Sequence, residues 1–164
     1  MESKSNLPNF AYFFLLIFLV GILAPADISA EDIKLSSGQT VYVSIYSHLY
    51  SGLKARPFDL AAILSIRNTN PNNSITLTSV KYYDSDGKLL KEYLSIPLQL
   101  NALVSTRYII TEGDKAGGSG ANFLVKWKSE KKVHPPIIEG VMIGTHSGQG
   151  ISFVSRGQVI KEDR

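Results

Sequence analysis

The chain has 164 residues, 44% hydrophobic and 19% charged, with 17 Lys and Arg against 14 Asp and Glu and a formal net charge of +3. The absence of any cysteine excludes disulfides, thiolate nucleophiles, zinc–thiolate sites and thiol redox chemistry. The cationic excess is scattered, and only Lys126, Lys128, Lys131 and Lys132 gather; a nucleic-acid binder concentrates its basic residues in a stripe, so no nucleic-acid partner is expected.

The chain opens on a short polar head, Met1 to Asn9, with Lys4 set against Glu2. An unbroken apolar run follows from Phe10 to Ala24, then Pro25 and the small-residue exit Ile28-Ser29-Ala30. Head, apolar middle and exit are the parts of a secretory signal, and the run is shorter than the about 20 residues a bilayer-spanning helix needs. Residues 1–30 therefore read as an N-terminal hydrophobic signal helix, removed after Ala30. The competing reading is an uncleaved anchor, and the membrane is then touched through this segment alone. Either way the expected location is periplasmic or extracellular.

Residues 31–160 are expected to form one domain, followed by a charged tail, 161–164. Val, Ile and Thr far outnumber Ala after Ala30, and branched side chains suit pleated sheets better than helices. No window sustains the i, i+3, i+4, i+7 apolar face of a long helix. Strands are predicted at Thr40–Ser47, where Val41, Val43 and Ile45 alternate with polar residues, and at Phe58–Asn68, which reads as a central strand. Thr69–Ser74 is dense in turn formers, and its Asn72-Asn73-Ser74, although a glycan-acceptor pattern, is taken as turn chemistry. Ile75–Asp84 and Lys88–Leu94 flank Ser85-Asp86-Gly87, a strong hairpin signal.

Past Pro97, strands are predicted at Leu103–Thr111, Asn122–Lys128, Ile137–Thr145 and Gly150–Ser155. Phe123, Val125 and Trp127 are expected to face inward, and the lysines near 126–132 to guard a sheet edge. The sum is an all-β chain: an antiparallel β-sandwich of about seven or eight strands.

Candidate chemistry concentrates in Glu112–Ala121 and its neighbour Asn122, where glycines Gly113, Gly117, Gly118 and Gly120 alternate with Glu112, Asp114 and Ser119. Clustered glycines can turn N–H groups onto an anion or let another chain approach. The G-x-x-x-x-G-K-[ST] order is missing, and so is the calcium-loop D-x-D-x-D-G spacing. His48, His134 and His146 share no ligand spacing, so no metal and no cofactor is expected. No G-x-S-x-G occurs, so no catalytic residue is assigned. Arg67, Arg107 and Arg156 fall within strands and are expected to pair with Asp59, Glu112 or Glu139; the alternative is a small anion held by two of them.

Ser65–Thr69, Val80–Gly87, Gly117–Phe123, Val141–Gly144, Gly150–Phe153 and Ser155–Gly157 together resemble an uncharacterised bacterial family of small exported or lipid-anchored domains. That resemblance covers about Thr40 to Ile160 and implies no activity. The Tyr82–Gly87 hairpin order is also similar to the sensory-rhodopsin transducer family, which implies a sandwich that assembles and binds partners. The expected function is therefore a non-enzymatic binding or assembly module of the cell envelope, taking a protein partner or a second copy through tyrosines such as Tyr42, Tyr46, Tyr50 and Tyr82. The alternative is a small-ligand or enzymatic site at the 112–122 loop, using Glu112, Asp114, Ser119, Asn122, His146 and Arg156.

Overall fold

The computed structural model describes residues 34–51, 54–146 and 148–163, and the expected leader lies outside them. Twelve strands and no helix occur among the described residues: β1 (Ser36–Ser44), β2 (His48–Ser51), β3 (Arg56–Asp59), β4 (Ala61–Arg67), β5 (Ile75–Tyr83), β6 (Leu89–Glu92), β7 (Leu98–Leu100), β8 (Ser105–Ile110), β9 (Asn122–Val133), β10 (Ile137–His146), β11 (Gln149–Arg156) and β12 (Gln158–Glu162). Every pairing is antiparallel. One sheet runs β12-β1-β9-β5-β6, with β7 also on β5; a second runs β11-β10-β4-β8; β2 and β3 form a separate hairpin.

The two larger sheets close on each other because one face of each is apolar. Val41 and Val43 of β1 and Phe123, Val125 and Trp127 of β9 meet Ala62, Leu64 and Ile66 of β4 and Met142 of β10, all buried. Full burial of a side chain of this size is worth about 1.5–3 kcal/mol, so this interior is what holds a cysteine-free chain together.

The strand assignments hold where alternation is clean. The Asp-Gly hairpin forms as expected: Asp84 Oδ1 accepts from the amides of Asp86 (3.0 Å) and Lys88 (2.8 Å), and Gly87 takes a φ of 79°. Three expectations need correction. The charged tail expected from 161 does not begin there, because Lys161 and Glu162 belong to β12, whose backbone pairs with β1. Glu162 accepts from Ser36 Oγ and Gln39 Nε2, both at 2.7 Å, so a charged residue is locked into an edge strand rather than frayed. The lysine-rich β9 is not an edge: it lies between β1 and β5, and Lys126 and Lys128 point to solvent from its outer face. The strand count exceeds expectation because Leu60 interrupts the 58–68 run into β3 and β4, and because β2, β7 and β12 are short or charged.

Candidate functional site

The glycine loop after β8 is stitched down. Asp114 Oδ1 accepts from the Ala116 amide at 3.0 Å, closing a local turn. The Gly117 carbonyl accepts from both the amide and the hydroxyl of Ser85, each at 3.0 Å, and Ser85 Oγ in turn accepts from the Gly120 amide at 2.9 Å. The Gly118 carbonyl accepts from the Ser47 amide (3.2 Å) and hydroxyl (2.9 Å). Lys115 Nζ reaches Asp59 Oδ2 at 2.9 Å. The loop thus spends carbonyls and one amide on its neighbours, and its glycines serve close packing. A Cβ on Gly117 would overlap the Tyr82 hydroxyl and stand 2.7 Å from Ala121 Cβ, while Gly118 holds a φ of 73°.

Beneath the loop is a cleft of about 270 Å³ between β6 and β8, lined by Tyr82, Leu90, Lys91, Tyr93, Asp114 and their neighbours. Its wall is aromatic: the Tyr93 ring meets Tyr108 at 4.8 Å and Phe123 at 5.8 Å, and Tyr82 meets Phe123 at 4.9 Å. Tyr82 is 2% exposed, yet its hydroxyl has no hydrogen-bond partner. Burial, then the Asp114 carboxylate, push the Tyr82 phenol up to about 12, with Tyr93 and Asp84 adding to the rise. Burial and Asp114 also raise Tyr93.

Tyr82 was expected at the surface, and the correction has a local cause. Ile75 and Leu77 set an inward parity that puts Tyr82 outside. A bulge at Thr78, between Leu77 and Ser79 in the pairing with β9, inserts one residue and flips the rest of the strand. Val80 and Tyr82 then point in, opposite Val125 and Phe123. The broken alternation of Thr78-Ser79-Val80 is the sequence signal that reveals it. Tyr42 and Tyr46 are half-buried, Tyr46 against Phe153, and Tyr50 is 62% exposed.

Of the six residues singled out from the sequence, only Asp114 lines this cleft. Glu112 is exposed and Ser119 half-buried in the loop. Asn122 begins β9, in register with Ser44 and Tyr83. The backbone of His146 ends β10 opposite Gln149. Arg156 lies opposite Glu139 at the other end of β10, about 24 Å along the strand from His146 at the usual rise per residue. Glu112, Asp114 and Ser119 thus share one loop with Asn122 next to it in β9, and Arg156 stands far from the backbone of His146.

Arg156 belongs to a different surface, the outer face of the β11-β10-β4-β8 sheet. Register places Val154, Val141, Ile63 and Ile109 in one row across all four strands, with Val154 and Ile109 each 53% exposed. The adjoining row is Arg156, Glu139, Ser65 and Arg107, and Arg67 stands in the next. All three arginines are exposed and, among the described residues, none makes the expected ion pair; Arg67 Nε donates to Ser65 Oγ at 3.1 Å, and Asp59 is engaged by Lys115. They sit on the water side of the sheet, so no desolvation penalty forces a carboxylate partner. Beside them is a shallow depression of about 400 Å³ lined by Pro136, Ile137, Ile138, Glu139, Arg156 and Gly157.

A family model described as "Protein of unknown function (DUF3124)" matches residues 38–160. No curated protein matches the chain. Among solved structures, the chain is similar to Thermotoga maritima 1070 at 9% identity, covering 76% of this chain and 97% of that one with a TM-score of 0.47. It is also similar to FlgD from P. aeruginosa at 15% identity, covering 78% and 75% with a TM-score of 0.23. Likenesses this distant carry no argument about function.

Proposed function

The chain belongs to the DUF3124 family of unknown function, and we propose that it is a non-enzymatic binding module that docks a protein partner on the outer face of its β11-β10-β4-β8 sheet. One observation carries this reading: the strands of that face present three arginines and a continuous apolar row but no lysine, whereas lysines Lys81, Lys126 and Lys128 project from the other sheet. Interfaces are enriched in Arg and depleted in Lys, because a weakly hydrated guanidinium can be buried against carboxylates at lower cost. The partner that fits carries apolar side chains bordered by carboxylates. A second copy stacked face to face fits less well, since it would set arginine against arginine. The leader-like sequence of residues 1–30 supports a setting outside the cytoplasm for this binding.

The test compares two charge-reversal pairs in cross-linking capture from envelope extracts. Arg107→Glu with Arg156→Glu should abolish recovery of the partner, and Lys126→Glu with Lys128→Glu should leave it unchanged. Light scattering of the isolated chain should report a monomer. Equal recovery with both pairs, or no partner with the unaltered chain, refutes the proposal.

A further inference from the structure

The cleft under the glycine loop is separate from that face and has a chemistry of its own. Its polar lining holds the Asp114 carboxylate, of which one oxygen already serves the Ala116 amide, the hydroxyl-bearing Tyr82, Tyr93 and Thr111, and Lys91. Asp84 and Asp114 both lie near enough to oppose ionisation of Tyr82. A buried hydroxyl without a partner is costly, by about 1–3 kcal/mol. Such a group in a cavity is satisfied when a ligand supplies the missing hydrogen bond. The chain's own Lys91 ammonium rests 4.5 Å from the centre of the Tyr93 ring, so this aromatic face already takes a primary ammonium at its rim.

We propose that the Tyr82–Tyr93–Asp114 cleft is a binding site for a primary ammonium group. Asp114 supplies the countercharge, Tyr93 the ring face, and Tyr82 a buried oxygen that accepts an N–H. An ammonium carries three donors and no acceptor, which suits the Asp114 carboxylate and the two tyrosine oxygens. An anion would meet Asp114 and Asp84. An apolar guest would leave Tyr82 unpartnered. The volume of about 270 Å³ equals about nine waters at about 30 Å³ each, enough for a small alkylamine or the end of a lysine side chain and too little for a nucleotide.

Isothermal titration of the full chain with n-butylammonium chloride, at constant ionic strength, tests the site. Saturable binding is expected, weakened about tenfold or more by Asp114→Asn, which keeps the oxygen that accepts from Ala116. Tyr82→Phe should weaken it several-fold, and Lys91→Met should tighten it by removing the like charge at the rim. Tetramethylammonium, which has no N–H, should bind markedly less well. Nα-acetyl-lysine amide separates the sources: much tighter binding than butylammonium points to a lysine of a protein chain, and equal binding to a free amine. The proposal is overturned if no saturable binding occurs, if tetramethylammonium binds equally, or if Asp114→Asn, shown folded by its thermal transition, binds as the unaltered chain does. These outcomes are independent of the arginine face, whose variants should titrate normally.

Discussion

Replacing Gly117 with alanine puts the loop's packing to a quantitative test. The new methyl would overlap the Tyr82 hydroxyl and press on Ala121 Cβ at 2.7 Å and Tyr82 Cζ at 2.8 Å. Tyr82 cannot yield, because it is buried against Phe123 with ring centres 4.9 Å apart. The loop must lift instead, and the first bonds to stretch are the two that Ser85 donates to the Gly117 carbonyl. Each contributes about 0.5–1.5 kcal/mol, and overpacking a tight site costs about 1–3 kcal/mol. The expected loss for Gly117→Ala is therefore about 2–6 kcal/mol, a large fraction of the about 5–15 kcal/mol that holds a domain folded. Tyr82→Phe alone should be neutral or stabilising by about 1 kcal/mol, since the hydroxyl it removes has no partner. Combined, the two should couple by about 1–2 kcal/mol, with rescue incomplete because the Ala121 contact remains. Urea unfolding followed by the fluorescence of Trp127, the one tryptophan and 1% exposed, measures all four corners of the cycle. Strict additivity, or a loss under about 0.5 kcal/mol for Gly117→Ala, would refute the reasoning, since that contact predicts a coupled overpacking cost.

Asn68 is 2% exposed and donates to the carbonyls of Asn73 (2.8 Å), Leu100 (3.2 Å) and Asn101 (2.9 Å) while accepting from the Asn70 amide. Asn68→Leu should cost about 2–3 kcal/mol in urea unfolding, because those backbone groups lose their partner in a dry corner. Tyr82 ionises near 10 when unfolded and at about 12 in the fold, so its stabilising share is intact below pH 10 and fades as pH climbs toward 12. Stability measured between pH 9 and 11.5 should fall less steeply in Tyr82→Phe than in the unaltered chain. Glu162 behaves oppositely: hydrogen bonds from Ser36 and Gln39 hold its carboxyl below the usual 4.5. Its contribution is present above that value and disappears as pH drops through the folded value. Glu162→Gln should therefore narrow the gap between stability at pH 7 and at pH 3.

Much of the sheet structure was legible from alternation alone. Phe123, Val125 and Trp127 face inward as expected, because β9 keeps a strict period of two until Lys128. The Asp-Gly turn was equally plain, since its geometry depends on four adjacent residues. Pairing partners were not legible. The lysines of β9 looked like edge protection until β1 and β5 were seen on either side, and Lys161 and Glu162 looked unstructured until β1 was seen to bind them. The glycine loop was recognised as special from composition, but Asp114 acquires its setting from Tyr82 and Tyr93, more than twenty residues away in sequence.

The amino-acid order on its own determined a thiol-free, sheet-forming chain, the faces of its regular strands and the place of its tightest turn, because each rests on neighbours within a few residues. Tertiary structure decided the rest: the bulge that turns Tyr82 inward, the glycine that its hydroxyl demands at 117, and the gathering of Arg67, Arg107 and Arg156 on one face. Those features depend on register between distant strands, and a shift of one residue moves every side chain to the opposite side.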